Sequence, residues 1–200
     1  MKKQKMENKL LYNKHNSFVS FKGKYNKKVD QVKKRINFIY NNKIGLNNLK
    51  SSFKNIVDRV LSDLNKDNKN KSSFSINENI IDEINILDDK QILNYLAHRY
   101  RYEIYPQSKI LDDYPPYLQI EPTSICNYRC VFCFETDKSF TNKNNGFMGT
   151  MSYDLFRQII DEAEGNIEFL SLASRGEPLA CPDITLMLKY TAGKFLNLKL

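Results

Sequence analysis

Residues 117–133 read YLQIEPTSICNYRCVFC, and this stretch decides how the chain is interpreted. It opens with alternating apolar and polar residues, which predicts a β-strand over Tyr117–Glu121 ended by a proline. Three of the four cysteines of the chain follow directly, at Cys126, Cys130 and Cys133. They lie too close together in sequence to cross-link a fold through disulfides. We therefore predict that they act as ligands in the loop after the strand.

The spacing Cys-x3-Cys-x2-Cys supplies three thiolates and no fourth at a matching distance. Four-iron iron–sulfur clusters are normally held by four thiolates. A loop with three would leave one iron open, and an open position separates reactive metal sites from purely structural ones. The alternative is a closed zinc site with Cys181 as the fourth ligand. Because zinc loops commonly present two separate ligand pairs, we instead expect Cys181 to pack as a small apolar residue.

The sequence after residue 116 predicts alternating strands and helices. A helix capped by Ser152 and ended by Gly165 is followed by a strand over Ile167–Leu172. A second helix starts near Asp183, and alternation over Leu196–Leu200 predicts a third strand. Such an order implies parallel pairing with right-handed crossovers. The fold class is therefore α/β, and 116–200 is expected to be the front part of an incomplete (β/α) barrel, because a complete one needs about 250 residues. On this reasoning we expect the chain to be truncated relative to a longer enzyme.

The first 115 residues have a different character. Residues 1–71 are rich in Lys and Asn and carry 19 Lys and Arg against 5 Asp and Glu. Apolar residues at helical spacing predict two amphipathic helices there, one around Val29–Ile39 and one over Leu49–Leu64. A polar linker is expected at Asn65–Ser73. Residues 72–115 then form a helical lead-in, with a helix beginning at Asp88 or Asp89 and ended by prolines.

The composition and the distribution of charged and apolar residues argue against several classes of protein. The N-terminus has charge without the apolar core of a secretory signal, and no apolar run is long enough to span a bilayer. Four cysteines are few for a secreted disulfide scaffold, so we expect a cytoplasmic protein without a membrane partner. The basic front segment lacks a tight cluster of arginines and aromatic residues. We therefore do not expect nucleic-acid binding.

The cysteine loop resembles the signature of the radical S-adenosylmethionine (radical SAM) enzymes. That signature is Cys-x3-Cys-x2-Cys with an aromatic residue before the last cysteine, here Phe132. The resemblance implies that Cys126, Cys130 and Cys133 bind a [4Fe-4S] cluster. It also implies that S-adenosylmethionine binds the fourth iron and that Phe132 lies against its adenine.

Two further stretches resemble the same family. Gly176, Glu177 and Pro178 match the core of its Gly-Gly-Glu-Pro motif, which receives the methionine amino group, whereas Arg175 stands where the family more often has glycine. Residues 146–151 read GFMGTM and resemble the stretch that opens the following helix in the subset with C-terminal auxiliary-cluster (SPASM or twitch) domains. Together the matches cover residues 116–200.

The resemblance implies a specific chemistry. It is the reductive cleavage of S-adenosylmethionine to a 5′-deoxyadenosyl radical, which abstracts hydrogen from a peptide, protein or small polar substrate. Such an enzyme needs an electron donor such as a flavodoxin or ferredoxin. The alternative function, from a different class, is a zinc-stabilised binding module whose basic arm contacts nucleic acid or a protein partner.

Overall fold

The structure, a computed structural model, describes residues 18–66 and 73–200. Four helices come first: α1 (Phe18–Asn41), α2 (Ser51–Asn65), α3 (Glu78–Ile86) and α4 (Asp89–Gln107). The predictions of α1, α2 and α4 are confirmed. The predicted linker falls largely on residues 67–72, which lie outside the described residues, as do residues 1–17.

Helix α3 was not predicted from the sequence. Its first turn is capped by Asn77, whose side chain accepts a hydrogen bond from the Ile80 amide. Its buried residues Ile80, Ile81 and Ile84 have helical spacing. The helix is only nine residues long, so its apolar stripe is too short to stand out beside the longer helices.

The four helices share one apolar core. The large buried side chains come from every helix and from the segment before α3, and they include Ile36, Val57, Phe74, Ile84 and Leu96. Helices from both sides of the predicted linker therefore bury their apolar stripes against each other. Burying such stripes is the main source of helix stability in a small protein.

A three-stranded parallel sheet follows the helices. It consists of β1 (Tyr117–Gln119), β2 (Phe169–Ser171) and β3 (Asn197–Lys199), in the order β1-β2-β3. The short helix α5 (Lys138–Thr141) follows β1, α6 (Tyr153–Ala163) precedes β2, and α7 (Ile184–Thr191) precedes β3. The parallel α/β arrangement predicted for this region is confirmed, although each strand is shorter than predicted. The described chain is thus mixed α/β with far more helix than strand.

The two faces of the sheet contact different layers. Leu118, Leu170 and Leu198 share one register position and pack with α6 and α7 in a second core. On the other face, Phe169 packs against the helical core. Leu196 was predicted to lie within the third strand, but it precedes β3 and packs against the helical core instead.

Within residues 18–66 and 73–200, every helix is too short or too polar to span a lipid bilayer.

Candidate functional site

The three predicted cysteine ligands come together after the carboxyl end of β1. Cys126, Cys130 and Cys133 line one small depression, together with Glu135 and three other loop residues. Cys130 is exposed, and Cys126 and Cys133 are half-buried. All three are free thiols. The loop therefore offers three accessible sulfur atoms to a ligand that approaches from one side.

Hydrogen bonds within the loop fix its shape. The Cys133 amide donates to the Cys130 carbonyl at 2.9 Å, which closes a tight turn between these two cysteines. The Arg129 guanidinium donates to the carbonyls of Tyr128 at 2.7 Å and Cys126 at 3.2 Å. Thr136 donates its hydroxyl to the Cys133 carbonyl at 2.9 Å. The backbone of all three cysteines is thus tied by local bonds.

The arrangement differs from that of a site for a single ion. Among the described residues, no group of three or more His, Cys, Asp or Glu side chains is placed to hold one metal ion.

The segment before the cysteines is held by the stretch that leads into α6. Ser124 donates its backbone amide to the Gly149 carbonyl at 2.9 Å, and the Gly149 amide donates to the Ser124 hydroxyl at 2.6 Å. The Met151 amide donates to the Pro122 carbonyl at 2.8 Å. Within the stretch 146–151 singled out in the sequence, residues 149–151 therefore pair antiparallel with residues 122–124 and support the segment before the cysteine loop.

Gly176 lies in close contact with the same segment on its other side. A Cβ atom at position 176 would lie 1.9 Å from the Thr123 carbonyl oxygen and 2.9 Å from the Ser124 Cα. Both are backbone atoms and cannot rotate away. The adjacent amide of Glu177 donates to the carbonyl of Ile125, the residue before Cys126, at 2.9 Å. A glycine is required here because two loops meet backbone to backbone.

Glu177 and Pro178 begin a short 3-10 turn over Pro178–Ala180. The Glu177 carboxylate accepts a hydrogen bond from the Leu179 amide at 3.1 Å through Oε1, and Pro178 is buried. This bond caps the turn and holds the half-buried carboxylate beside the backbone contact with Ile125. The structure therefore brings the Gly-Glu-Pro turn and the base of the cysteine loop together.

Phe132 projects from the loop with 89% of its surface exposed. Its neighbour Val131 is also almost fully exposed, and Tyr128 is exposed on the same loop. On the same loop Phe134 packs edge to face against Phe140 with ring centroids 5.3 Å apart, and Phe140 packs at a tilt against Phe147 at 5.6 Å. The loop thus has a packed aromatic base and a free aromatic tip, and a free aromatic ring suits contact with a flat ligand.

The turn after the cysteines is capped at the start of the short helix α5 (Lys138–Thr141). Asp137 accepts a hydrogen bond from the Ser139 amide at 2.9 Å. The backbone and side-chain hydrogen bonds from Ser139 hold the pKa of Asp137 below its ordinary value. These hydrogen bonds to the charged carboxylate fix the chain where it leaves the cysteine loop.

Cys181 does not join the other cysteines. It is 2% exposed and packs in the core formed by α6, α7 and the sheet. It does not line the depression with Cys126, Cys130 and Cys133. The prediction that Cys181 packs as a small apolar residue is confirmed.

Sequence reasoning left the role of Arg175 open and did not single out Glu121 or Glu135. Arg175 and Glu121 form an ion pair at 3.0 Å across the ends of β1 and β2. Opposite charges placed just after two neighbouring parallel strands were a signal that could have found this pair. The Glu135 Oε1 atom is buried beside the cysteines and has no hydrogen-bond partner among the described residues.

We compared the chain with known protein families, curated proteins and solved structures. No family model matches the chain, and neither a curated protein nor a solved structure matches it significantly.

Proposed function

We propose that the protein is a radical SAM enzyme that uses a [4Fe-4S] cluster and S-adenosylmethionine. One observation carries this proposal. The three free thiols of the Cys-x3-Cys-x2-Cys loop line one depression, and a backbone hydrogen bond ties the base of this loop to the Gly-Glu-Pro turn. Two motifs separated by about 45 residues are therefore neighbours in space.

The residues present fit the cofactors in their chemistry. Thiolates are the ordinary protein ligands of iron–sulfur clusters, and Cys126, Cys130 and Cys133 would bind three of the four irons. The Glu135 Oε1 atom in the same depression is buried and unpartnered among the described residues, and it would accept a hydrogen bond from a bound donor or from water. The free face of Phe132 suits an adenine ring.

The Gly-Glu-Pro turn would receive the amino acid part of S-adenosylmethionine. An ammonium group forms its strongest hydrogen bonds with a carboxylate or with backbone carbonyls. Glu177 supplies a carboxylate that is already held by the Leu179 amide. The absence of a side chain at Gly176 allows this turn to lie directly against Thr123. The chain would thus orient the ligand between a cation-binding turn and an iron-binding loop.

When bound, the two cofactors supply one-electron chemistry that yields methionine and a 5′-deoxyadenosyl radical able to abstract hydrogen from a substrate. In a (β/α) barrel, chemistry takes place at the carboxyl ends of the strands. Both motifs follow the carboxyl ends of β1 and β2, which supports a partial barrel of this type. The proposed substrate is a peptide, a protein or a small polar molecule, and the electron donor a flavodoxin or ferredoxin in the cytoplasm.

The zinc-stabilised binding module has less support. It needs Cys181 as a fourth ligand, whereas Cys181 lies in an apolar core away from the depression. The following experiment would detect a zinc-binding module if the protein were one.

The test is anaerobic reconstitution of the full-length protein with iron and sulfide. We expect a brown protein with about four irons per chain that forms 5′-deoxyadenosine when S-adenosylmethionine and a reductant are added. Cys130→Ala should lose the cluster, and the matched variant Cys181→Ala should keep it. A colourless protein with one tightly bound zinc would overturn the proposal. Equal iron loss in both variants would overturn the ligand assignment.

A further inference from the structure

Arg175 binds Glu121 through two different groups. Its backbone amide donates to Glu121 Oε2 at 3.1 Å, and its guanidinium donates to Glu121 Oε1 at 3.0 Å. Both carboxylate oxygens are therefore engaged by one residue. The two side chains are 24% and 28% exposed, so the pair is partly shielded from water. Such a charge-assisted, two-point contact is geometrically more restrictive than an exposed ion pair.

The same guanidinium reaches two further segments. It donates to the Phe147 carbonyl at 2.5 Å and lies 6.0 Å from the centre of the Phe134 ring. Phe134 directly follows Cys133, and Phe147 belongs to the stretch that supports the cysteine loop. Arg175 thus joins three segments: the end of β1, the support before α6 and the turn after the last cysteine.

Arg175 lies directly before the Gly-Glu-Pro turn, so its contacts can fix the place of that turn. It directly precedes Gly176, whose backbone lies against Thr123, and Glu177, whose amide binds Ile125. A shift of Arg175 would therefore move the Gly-Glu-Pro turn relative to Cys133. An arginine that served only for solubility would extend into water rather than bind three partner residues.

We propose that Arg175, together with Glu121, is a positioning residue that sets the distance between the Gly-Glu-Pro turn and the cysteine loop. This inference rests on the proposed function and assigns a role at a position where the resembling family more often has glycine. Arg175 acts through its neighbours and is not proposed to touch the ligand. Its loss should therefore weaken S-adenosylmethionine binding more than cluster assembly, because the three thiols remain in place.

The first measurement needs no cofactor. Amide hydrogen exchange of the apo protein is compared between wild type, Arg175→Gly, Arg175→Lys and Glu121→Gln. The exchange rates of the Gly149 and Met151 amides measure how firmly residues 149–151 are bonded to the segment before the cysteine loop, because both amides donate to residues 122–124. In Arg175→Gly we expect these amides to exchange about tenfold faster, the change produced by losing one charge-assisted hydrogen bond. Arg175→Lys should restore part of the protection.

The second measurement uses the reconstituted full-length protein. Iron content and the electron paramagnetic resonance spectrum of the reduced cluster are recorded while S-adenosylmethionine is added. We expect unchanged iron content and about tenfold weaker S-adenosylmethionine binding in Arg175→Gly, with partial rescue by lysine. The control is Lys194→Ala, which removes an ion pair with Glu164 just after the ends of α7 and α6, before the strands begin, and should leave both readouts unchanged.

The outcomes separate the two proposals. If wild type binds no cluster, the proposed function fails, whereas the exchange data still test whether Arg175 holds the three segments. If wild type binds both cofactors and Arg175→Gly binds S-adenosylmethionine as tightly, the positioning role is overturned. Faster exchange with unaltered S-adenosylmethionine affinity also overturns it, because Arg175 would then be structural only.

Discussion

The ring of His98 stacks on the ring of Phe169, with centroids 3.9 Å apart and an interplanar angle of 11°. His98 belongs to α4 and Phe169 to the first position of β2, so this contact joins the helical core to the sheet. His98 is 2% exposed, and burial together with the nearby charges of Arg99 and Arg101 lowers its pKa to about 3. A neutral imidazole is therefore part of the packing between the two layers.

This contact predicts a specific loss of stability in acid. The unfolded state takes up a proton at His98 below about pH 6.5, whereas the folded state does not until about pH 3. Stability is therefore full above pH 6.5 and falls as the pH decreases between these values. At pH 5.0 the titration of His98 should lower the free energy of unfolding by about 2 kcal/mol relative to neutral pH. His98→Phe keeps an aromatic ring against Phe169 and removes this titration.

Urea unfolding of wild type and His98→Phe at pH 7.5 and 5.0 measures the effect. The free energy of unfolding of the wild type should fall by about 2 kcal/mol more than that of the variant. An equal decrease in both proteins would contradict the assignment of the acid sensitivity to His98.

Gly176→Ala should destabilise the protein because the new Cβ would meet the Thr123 backbone at 1.9 Å. Separating two backbone segments has a cost comparable to overpacking a core, about 1–3 kcal/mol. The matched control is Gly149→Ala, since Gly149 has no atom within 4 Å of its would-be Cβ. Its free energy of unfolding should change by less than about 0.5 kcal/mol. Similar effects in the two variants would show that the close contact is not what requires glycine.

Arg101 is the largest fully buried side chain of the described residues, and its removal should be costly. It donates to Asp112 and to the Tyr114 carbonyl and lies 4.9 Å from the centre of the Phe53 ring. Arg101→Met leaves Asp112 without its partner, which should cost about 3 kcal/mol, the lower end for a buried pair because Asp112 is partly exposed. Thermal unfolding should show that the double variant Arg101→Met, Asp112→Leu recovers part of this loss. A single variant as stable as wild type would contradict the prediction.

Substituting the buried Cys181 should destabilise the apo protein more than substituting the exposed Cys130. Cys181→Ser places a hydroxyl in an apolar core and should lower the free energy of unfolding by about 1–3 kcal/mol. Cys130→Ser changes an exposed loop residue and should alter it by less than about 0.5 kcal/mol. Chemical unfolding without iron measures both values, and a larger loss for Cys130→Ser would contradict the assigned environments.

Much of the fold follows from local patterns in the sequence. Helices α2 and α6 were predicted because each has an apolar stripe at helical spacing, and the Ser152 cap was predicted and observed. Parallel pairing followed from the order of the elements. The contact of His98 with Phe169 was not predicted, because nothing in a local pattern specifies which helix covers a given face of a sheet.

In the candidate site, too, the local motifs could be predicted from the sequence and the long-range contacts could not. The cysteines and the Gly-Glu-Pro turn were found as local motifs, and Phe132 was found by its place in the loop. The contacts of Arg175 with Glu121 and of Gly176 with Thr123 join residues more than 50 positions apart. A single sequence shows the residue types at such positions but not which ones meet.

The contact between Gly176 and Thr123 also has a consequence for biosynthesis. Residues 126–133 leave the ribosome before residues 176 and 177, so the cysteine loop emerges without the backbone that later lies against its base. The nascent thiols would be held in place only after residue 177 has left the exit tunnel. During translation any ligand of these thiols would therefore meet an unsupported loop, whereas in the folded chain residues 176 and 177 lie against residues 123–125 at its base.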